Sequence, residues 1–321
     1  MVPDTVKHSR GIHLWGLLSA VGAVTSLATI LAFLGPFHWA FDLFSHFPVQ
    51  YAAILAITAC LLLIPRQLAT AAVYGVLALV NLSLILPLYF NSRQSAAPPA
   101  QTVRALLLNL NSDAHSTDKV TALIRSNSPD IVLLEELTDR WLRELQPVLA
   151  TYPYRHALPR DDNFGILLAS RYPVAQIGAV TLAEAAPPSL LATVSLPHGD
   201  VTLLGTHPVP PAGGTYTRLR DRHLSAIPSL LKQTKTPVLI MGDLNTTPWN
   251  HAFKKLLADS GLHNSMKGNG IQPTWPTFLP FVQIPLDHFL HSSDIAVVNR
   301  KVGEHVGSDH YPLIVDFSIK Q

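Results

Sequence analysis

Pro237-Val238-Leu239-Ile240-Met241-Gly242-Asp243-Leu244-Asn245 is an apolar run that stops at a carboxylate and an amide. Two later stretches follow the same plan. Gln283-Ile284-Pro285-Leu286 runs into Asp287-His288, and, more loosely, residues 301–306 run into Gly307-Ser308-Asp309-His310. A short β-branched or Leu-rich run with such an ending reads as a buried strand whose end presents polar groups. Oxygen donors and imidazoles gathered at strand ends are what a hard divalent cation and a phosphate ester require. A single cluster of this kind reads as a capped turn; three in this order argue for one site.

Working outward, three further clusters lie upstream: Leu108-Asn109-Leu110-Asn111, the run from Asp130 to Glu135-Glu136, and Gly205-Thr206-His207. With Thr246-Thr247-Pro248-Trp249 after the first stretch and Tyr311-Pro312-Leu313 after the last, the sequence resembles the endonuclease/exonuclease/phosphatase superfamily. Its metal-dependent members include DNase I-like nucleases, sphingomyelinases and inositol phosphatases. The resemblance spans residues 101–319. It implies an α/β fold, a four-layer α/β/β/α sandwich, and a hydrolase of phosphoester bonds that uses Mg²⁺ or Mn²⁺. It leaves the substrate open, because one scaffold serves many substrates through its loops.

The resemblance also implies roles. Glu136 and Asn109 would bind the metal, with Asp309 as ligand or as a partner of the ligand set. Asp243 would orient and deprotonate the water, and Asn245 would hold the water or the phosphate. Asp287 would hydrogen-bond His310 and favour its protonated form. His207 would stabilise the pentacovalent state or protonate the leaving oxygen. Asn111 stands where many nucleases of the superfamily carry Asp, which favours one metal over two. Strand alternation sends Glu135 and Glu136 to opposite faces, so only one can be a ligand, and Glu136 is the choice. Asn111, Asn163, Arg218 and Arg222 are candidates for substrate binding; for the two arginines a solvated helix face is an equal reading, and for Asn163 a turn. Trp249 and Trp275 read as core residues before rim residues.

The first hundred residues have a different composition. Lys7, Arg10, Arg66 and Arg93 are their only basic residues, and Asp4 and Asp42 their only acids. Apolar stretches cover residues 12–35, 49–64 and 68–90. The outer two are long enough to cross a bilayer as helices of about 20 residues, and the middle one, between Pro48 and Pro65, is at the short end. The first stretch is too long for a cleaved signal peptide and two more follow it. The expectation is therefore a three-helix transmembrane anchor over residues 1–92, a linker over 93–101, and a catalytic domain over 102–321. Lys7, Arg10 and Arg66 place the amino terminus and the second loop in the cytoplasm. The first loop and the catalytic domain then lie outside, with Trp39, Phe41 and Phe44 at the outer interface.

Charge bears on the partner. Of the chain's 23 Lys+Arg and 21 Asp+Glu, 19 of each lie beyond the first hundred residues. A nucleic-acid enzyme usually carries a basic surface, so zero net charge disfavours nucleic acid without excluding a local groove. The single cysteine, Cys60, lies in the second apolar stretch, and the catalytic part owes nothing to disulfides or thiolate-bound metal. Apolar runs at 103–110, 131–137, 165–170, 190–196, 201–206, 237–241, 284–290 and 312–319 predict strands, and residues 117–124 (Ser116 as N-cap), 138–149 and 218–232 predict helices.

With three amino-terminal spans, and with His207 continuing as Pro208-Val209-Pro210-Pro211, the chain looks like a bacterial membrane-anchored branch of the superfamily. Some members of that branch are associated with glycopeptide resistance and lipid-pyrophosphate turnover. The leading reading is an extracytoplasmic phosphoesterase of the bacterial inner membrane, acting on a phospholipid or isoprenoid (pyro)phosphate head group. A membrane-anchored nuclease, an enzyme for a soluble phosphorylated metabolite and a non-enzymatic binding module are the alternatives. The sequence leaves oligomeric state open.

Overall fold

The computed structural model describes residues 14–90 and 102–320. The expected linker, and the Lys7 and Arg10 on which orientation rests, lie outside the described residues.

The carboxy-terminal part is built on two six-stranded mixed sheets. In the first, β1 (Val103–Asn109) lies between β2 (Ile131–Glu135), parallel to it, and β12 (Leu313–Ile319), antiparallel. β11 (Ile295–Val302) flanks β12, and β4 (Ile166–Ser170) and β3 (Tyr154–Leu158) complete the other side. In the second, β8 (Val238–Asp243) lies between parallel β7 (Gly199–Gly205) and antiparallel β10 (Asp287–His291). β6 (Ser189–Leu196) and β5 (Val174–Val180) extend one edge, and β9 (His263–Asn264) ends the other.

Period-two alternation sorts each central strand between two cores. From β1, Val103, Ala105 and Leu107 face the space between the sheets. Leu106 and Leu108 face α5 (Thr117–Asn127) and α6 (Asp139–Leu149). From β8, Leu239 and Met241 join the inter-sheet core, whereas Val238 and Ile240 meet α7 (Gly214–Leu231) and α8 (His251–Ser260). The result is a four-layer α/β/β/α sandwich. Ser116 sits at the N-cap position of α5 but makes no side-chain capping bond.

The amino-terminal part contains α1 (Leu14–Phe33), α2 (Trp39–Asp42), α3 (Pro48–Leu62) and α4 (Leu68–Ile85). Among the described residues, Leu14–Phe33 and Leu68–Leu88 are each long and apolar enough to cross a membrane. α3 reaches 15 residues and qualifies only if joined to Trp39–His46, from which it is bent by 69°. The expected span over 49–64 is thus a shorter helix with a broken entry. Leu17, Val24, Ile57, Val76 and Leu79 point outward, as suits helices surrounded by lipid. Inside the bundle, Asn81 Nδ2 donates to Thr29 Oγ1 at 3.0 Å, and Tyr74 Oη donates to the Ser19 carbonyl at 2.7 Å. Gly22 permits that approach, since a Cβ there would lie 2.2 Å from the Tyr74 ring.

The amino-terminal helices and the sandwich are packed together. Asp42 accepts from Arg220 Nη2 at 2.8 Å and from Asn250 Nδ2 at 2.6 Å, and Arg220 is fully buried. Trp249 Nε1 donates to the Leu84 carbonyl at 3.2 Å, and the Leu88 carbonyl accepts from Gly268 and Gly270. Ala52, Ile85, Leu88, Trp249 and Met266 form a shared apolar cluster. Trp249 is therefore buried, as expected, but in a core that the anchor completes.

Candidate active site

The central strands of both sheets end on the same side of the sandwich, and the polar residues come from those ends. β1 ends at Asn109 and β2 at Glu135. Glu136 follows in a left-handed conformation (φ 54°), so the chain has left the strand before the ligand candidate appears. Glu135 stays between the sheets, where its Oε2 accepts from the Asp243 backbone N–H at 2.9 Å. Burial, then the nearby Asp243 charge, push its pKa well above the ordinary carboxylate value. Gly242 makes room for this junction: a Cβ would lie 1.9 Å from the Thr206 carbonyl oxygen and 2.9 Å from Glu135 Oε1.

Glu136 turns the other way. Its Oε1 accepts from Asn109 Nδ2 at 2.9 Å, and its Oε2 accepts from the Ser112 N–H at 3.1 Å. Asn109 Nδ2 also lies 3.5 Å from Asp243 Oδ2, and Asn109 Oδ1 accepts from the Asn111 N–H. Asn111 sends its own amide to Asp309 Oδ1 at 2.8 Å, and Trp275 Nε1 donates to Asp309 Oδ2 at 3.0 Å. The structure thus gives Asn111 the position of a carboxylate holder. Asn163, also in left-handed conformation, lies in the cleft and meets Ser112 Oγ.

A second group surrounds Asp243. His310 Nδ1 donates to Asp287 Oδ2 at 2.9 Å, which leaves Nε2 facing Asp243 Oδ2 at 3.6 Å. His207 Nε2 lies 3.6 Å from the same oxygen. Asn245, with φ 48°, donates its backbone N–H to Asp243 Oδ1 at 2.8 Å and its amide to the Pro208 carbonyl. Burial opposes charge on both imidazoles. For His207 nothing overcomes it, and its pKa falls to about 3. For His310 the charges of Asp287 and Asp243 outweigh burial and hold the pKa up to about 10. Burial, against the opposing pull of His310, takes Asp243 to about 7. Asp287 stays below its usual value, because His310 and Thr274 offset its burial. An imidazolium, a neutral imidazole and a carboxylate poised near neutrality therefore converge: an anion-stabilising group, a second hydrogen-bonding group and a base.

Glu136, His207, Asp243, Asn245, Asp309 and His310 line a cleft of about 810 Å³, together with Phe164, Trp275, Ile284 and Leu286, while Asp287 and Asn109 stand behind them. Phe164 packs on His207 at 5.4 Å between ring centroids, and Trp275 on His310 at 6.4 Å. Trp275 is thus a rim and positioning residue, contrary to the core expectation; its neighbour Ser308-Asp309-His310 gave no sign of this in sequence. Three residues ahead of α3, namely Leu43, His46 and Phe47, also line the cleft, and nothing in the sequence pointed to them. Arg218 and Arg222 are not in it. They line a separate cavity between α7 and the loop that carries Trp39, because that face of the helix turns away from the strand ends. No Lys or Arg is among the described residues lining the catalytic cleft.

Among the described residues no three His, Cys, Asp or Glu side chains converge closely enough to hold a metal alone. The donor chemistry still suits one hard cation. Among the described residues Glu136 forms no ion pair with Lys or Arg, burial raises its pKa, and Asp243 and Asp309 line the cleft with the imidazolium of His310. A magnesium-like ion takes one or two carboxylates and fills its remaining positions with water and substrate oxygens.

The strand-end carboxylates and imidazoles on a four-layer sandwich define a hydrolytic site of the phosphoester-cleaving class. The chain belongs to the Endonuclease/Exonuclease/phosphatase family, whose model matches residues 106–310, and whose members hydrolyse phosphoester bonds. Among solved structures, it is similar to a humanized D. rerio TDP2 carrying 14 mutations, at 16% identity and TM-score 0.57, covering 68% of this chain and 99% of that one. D. rerio TDP2 complexed with single-strand DNA product gives 15% and 0.57 over 68% and 99%. An endonuclease/exonuclease/phosphatase from Beutenbergia cavernae gives 19% and 0.54 over 68% and 72%. Likeness at these identities establishes the fold alone. No curated protein matches the chain.

Proposed function

We propose that this protein is a membrane-anchored, divalent-metal-dependent phosphoesterase that cleaves a phospholipid or isoprenoid (pyro)phosphate head group at the outer face of a bacterial inner membrane. One observation carries the reading: Leu43, His46 and Phe47, from the segment entering the membrane at α3, wall the same cleft as Asp243, His207 and His310. In this reading the active site is built against the bilayer. The lack of Lys and Arg among the described residues lining the cleft supports a compact head group over a polyanionic strand. The segment between α1 and α3, with Asp42 at the end of α2, packs on the catalytic part, so in this reading both share one side of the membrane. Arg66 lies in the opposite loop, and the preference of basic loops for the cytoplasm supports an external site.

In this reading Asp243 takes the proton of the attacking water while the Asn245 N–H fixes its carboxylate. The His310 imidazolium, oriented by Asp287, stabilises charge on the phosphoryl oxygens, and neutral His207 hydrogen-bonds the reacting phosphate or its leaving oxygen. Glu136 and Asn109 would hold the cation, with Asp309 beside them; when bound, it would polarise the phosphoryl group and offset developing negative charge. The test compares the reconstituted full-length protein on a long-chain isoprenyl pyrophosphate in vesicles and on plasmid DNA, with Mg²⁺ and with EDTA. Mg²⁺-dependent hydrolysis of the lipid is expected, and Asp243→Ala should lower it by about a hundredfold or more. Cleavage of DNA alone would assign the site to a nuclease.

A further inference from the structure

Between Trp275 and Ile284, both in the cleft wall, the chain makes an excursion whose apolar side chains are left exposed among the described residues. Phe278 is 66% exposed, Leu279 51%, Phe281 90% and Val282 41%. Four large apolar side chains within five residues, all exposed, are abnormal for a water-facing loop and typical of a surface with an apolar partner. The excursion is held at both ends. Thr277 donates its N–H to the Asp309 carbonyl at 2.9 Å and its hydroxyl to the Ser308 carbonyl. At the other end, the Gln283 carbonyl accepts from Gln50 Nε2 at 3.0 Å. One foot therefore stands on the catalytic segment and the other on the first turn of α3.

That second foot fixes the depth. α3 has 15 residues, about 22 Å at 1.5 Å per residue, short of a hydrocarbon core of about 30 Å. Read as a span, α3 places its first turn at the hydrocarbon boundary or deeper, not above it. The docking of the catalytic part on the ends of the spans agrees: Trp249 reaches the Leu84 carbonyl, inside the span that ends at Leu88. A loop bonded to Gln50 lies at the same level. We infer that Phe278, Leu279, Phe281 and Val282 form a wedge seated among the acyl chains of the adjoining leaflet, directly beside the mouth of the catalytic cleft. If the lipid reading of the site is right, on which this last step rests, the wedge lets a substrate keep its chain in the bilayer while its phosphate reaches His310.

The wedge and the substrate reading are separable by experiment. Full-length protein carrying Cys60→Ala and Phe281→Cys, labelled with an environment-sensitive fluorophore, is reconstituted in phosphatidylglycerol/phosphatidylethanolamine vesicles. Tyr154→Cys, on the edge strand β3, serves as the water-exposed control. Blue-shifted emission at position 281, quenched by lipid-borne nitroxide and protected from aqueous iodide, is expected; quenching by iodide as strong as at position 154 would overturn the wedge. In parallel, Phe278→Ser/Phe281→Ser should keep its rate on the water-soluble diester bis(p-nitrophenyl) phosphate. It should lose about tenfold or more on vesicle-embedded isoprenyl pyrophosphate. Loss on the soluble diester as well would make the loop part of the cleft's architecture and overturn the inference. Lipid quenching at position 281 with no hydrolysis of lipid by the unsubstituted protein would uphold the wedge and refute the substrate assignment alone.

Discussion

Replacing Asp287 with Asn asks whether a carboxylate decides the charge on His310. Two imidazoles in one cleft set the limits. His207 and His310 each place Nε2 3.6 Å from Asp243 Oδ2, and both are buried. Only His310 has a second carboxylate, at 2.9 Å, and its pKa stands at about 10 where that of His207 stands at about 3. The rise from 6.5 to about 10 is worth on the order of 5 kcal/mol in favour of the imidazolium. For a group whose folded pKa is raised, that stabilisation is full below pH 6.5 and is lost as pH climbs through about 10. Asn at position 287 keeps the shape and one acceptor but removes the charge, so the His310 pKa should fall towards that of His207. The alkaline limb of the rate profile should drop from near pH 10 to neutrality or lower, with a loss of about a hundredfold at mildly alkaline pH. Rate profiles on a soluble diester, together with imidazole NMR of His310, measure both effects. If the alkaline limb of the variant stays where it was, Asp287 does not set this charge and the argument fails.

Asp243, taken to about 7 by burial, should give an acid limb near pH 7 at low metal, since the protonated carboxyl cannot accept a proton. Raising the metal concentration should move that limb lower, and a limb indifferent to metal would count against the assigned cation site. Arg220→Met leaves the buried Asp42 with Asn250 as its remaining close donor on the catalytic part, and should cost about 3–5 kcal/mol; thermal unfolding in detergent reads this, and an unchanged midpoint would show that the pair is not the clamp. Alkaline phosphatase fused after Gln321 should be active and a fluorescent protein that matures only in the cytoplasm should stay dark; the reverse pattern would place the site inside the cell.

How much was legible in the sequence follows from where each element lies. The expected strands all correspond to β1, β2, β4, β6, β7, β8, β10 and β12, which occupy the interiors of the sheets and are largely buried. The unforeseen strands β3, β5, β9 and β11 are the sheet edges. An edge strand is half-solvated, and β11 also carries Asn299, Arg300 and Lys301 and a register shift after Val297, so neither alternation nor apolar runs mark it. α8 also went unforeseen; it is ten residues long, and its apolar face is confined to Ala252, Phe253, Leu256 and Leu257. The candidate site was legible where chemistry sits at a strand end in a short motif, as with Asp243, Asp287 and His310. It was illegible where a residue depends on partners far along the chain. Arg218 and Arg222 share a helix with buried Arg220 but face another cavity. Glu135 and Glu136 diverge because the strand stops between them, not because of the pleat.

The contact between anchor and catalytic part changes what the anchor means. A tether through a flexible linker of about ten residues would hold the site within about 20 Å of the bilayer and only raise the local concentration of lipid. This protein goes further. Arg220 is fully buried and its partner Asp42 belongs to the anchor. Trp249 and Met266 complete a core with Ile85 and Leu88. The cleft wall itself includes Phe47. Separating the parts would leave buried Asp42 without Arg220 and Asn250 and would open the shared apolar core, although Arg220 would keep Asp221 on its own helix, so these contacts tie the two parts together. In the proposed membrane-bound reading, the orientation of the cleft to the bilayer is then set by packing and independent of linker length. For a freely diffusing substrate such fixed orientation has no use. For a head group presented at one height and one attitude by the leaflet, it places the phosphate within reach of His310 before any encounter by diffusion, which is the entropic advantage that pre-orientation gives a reaction.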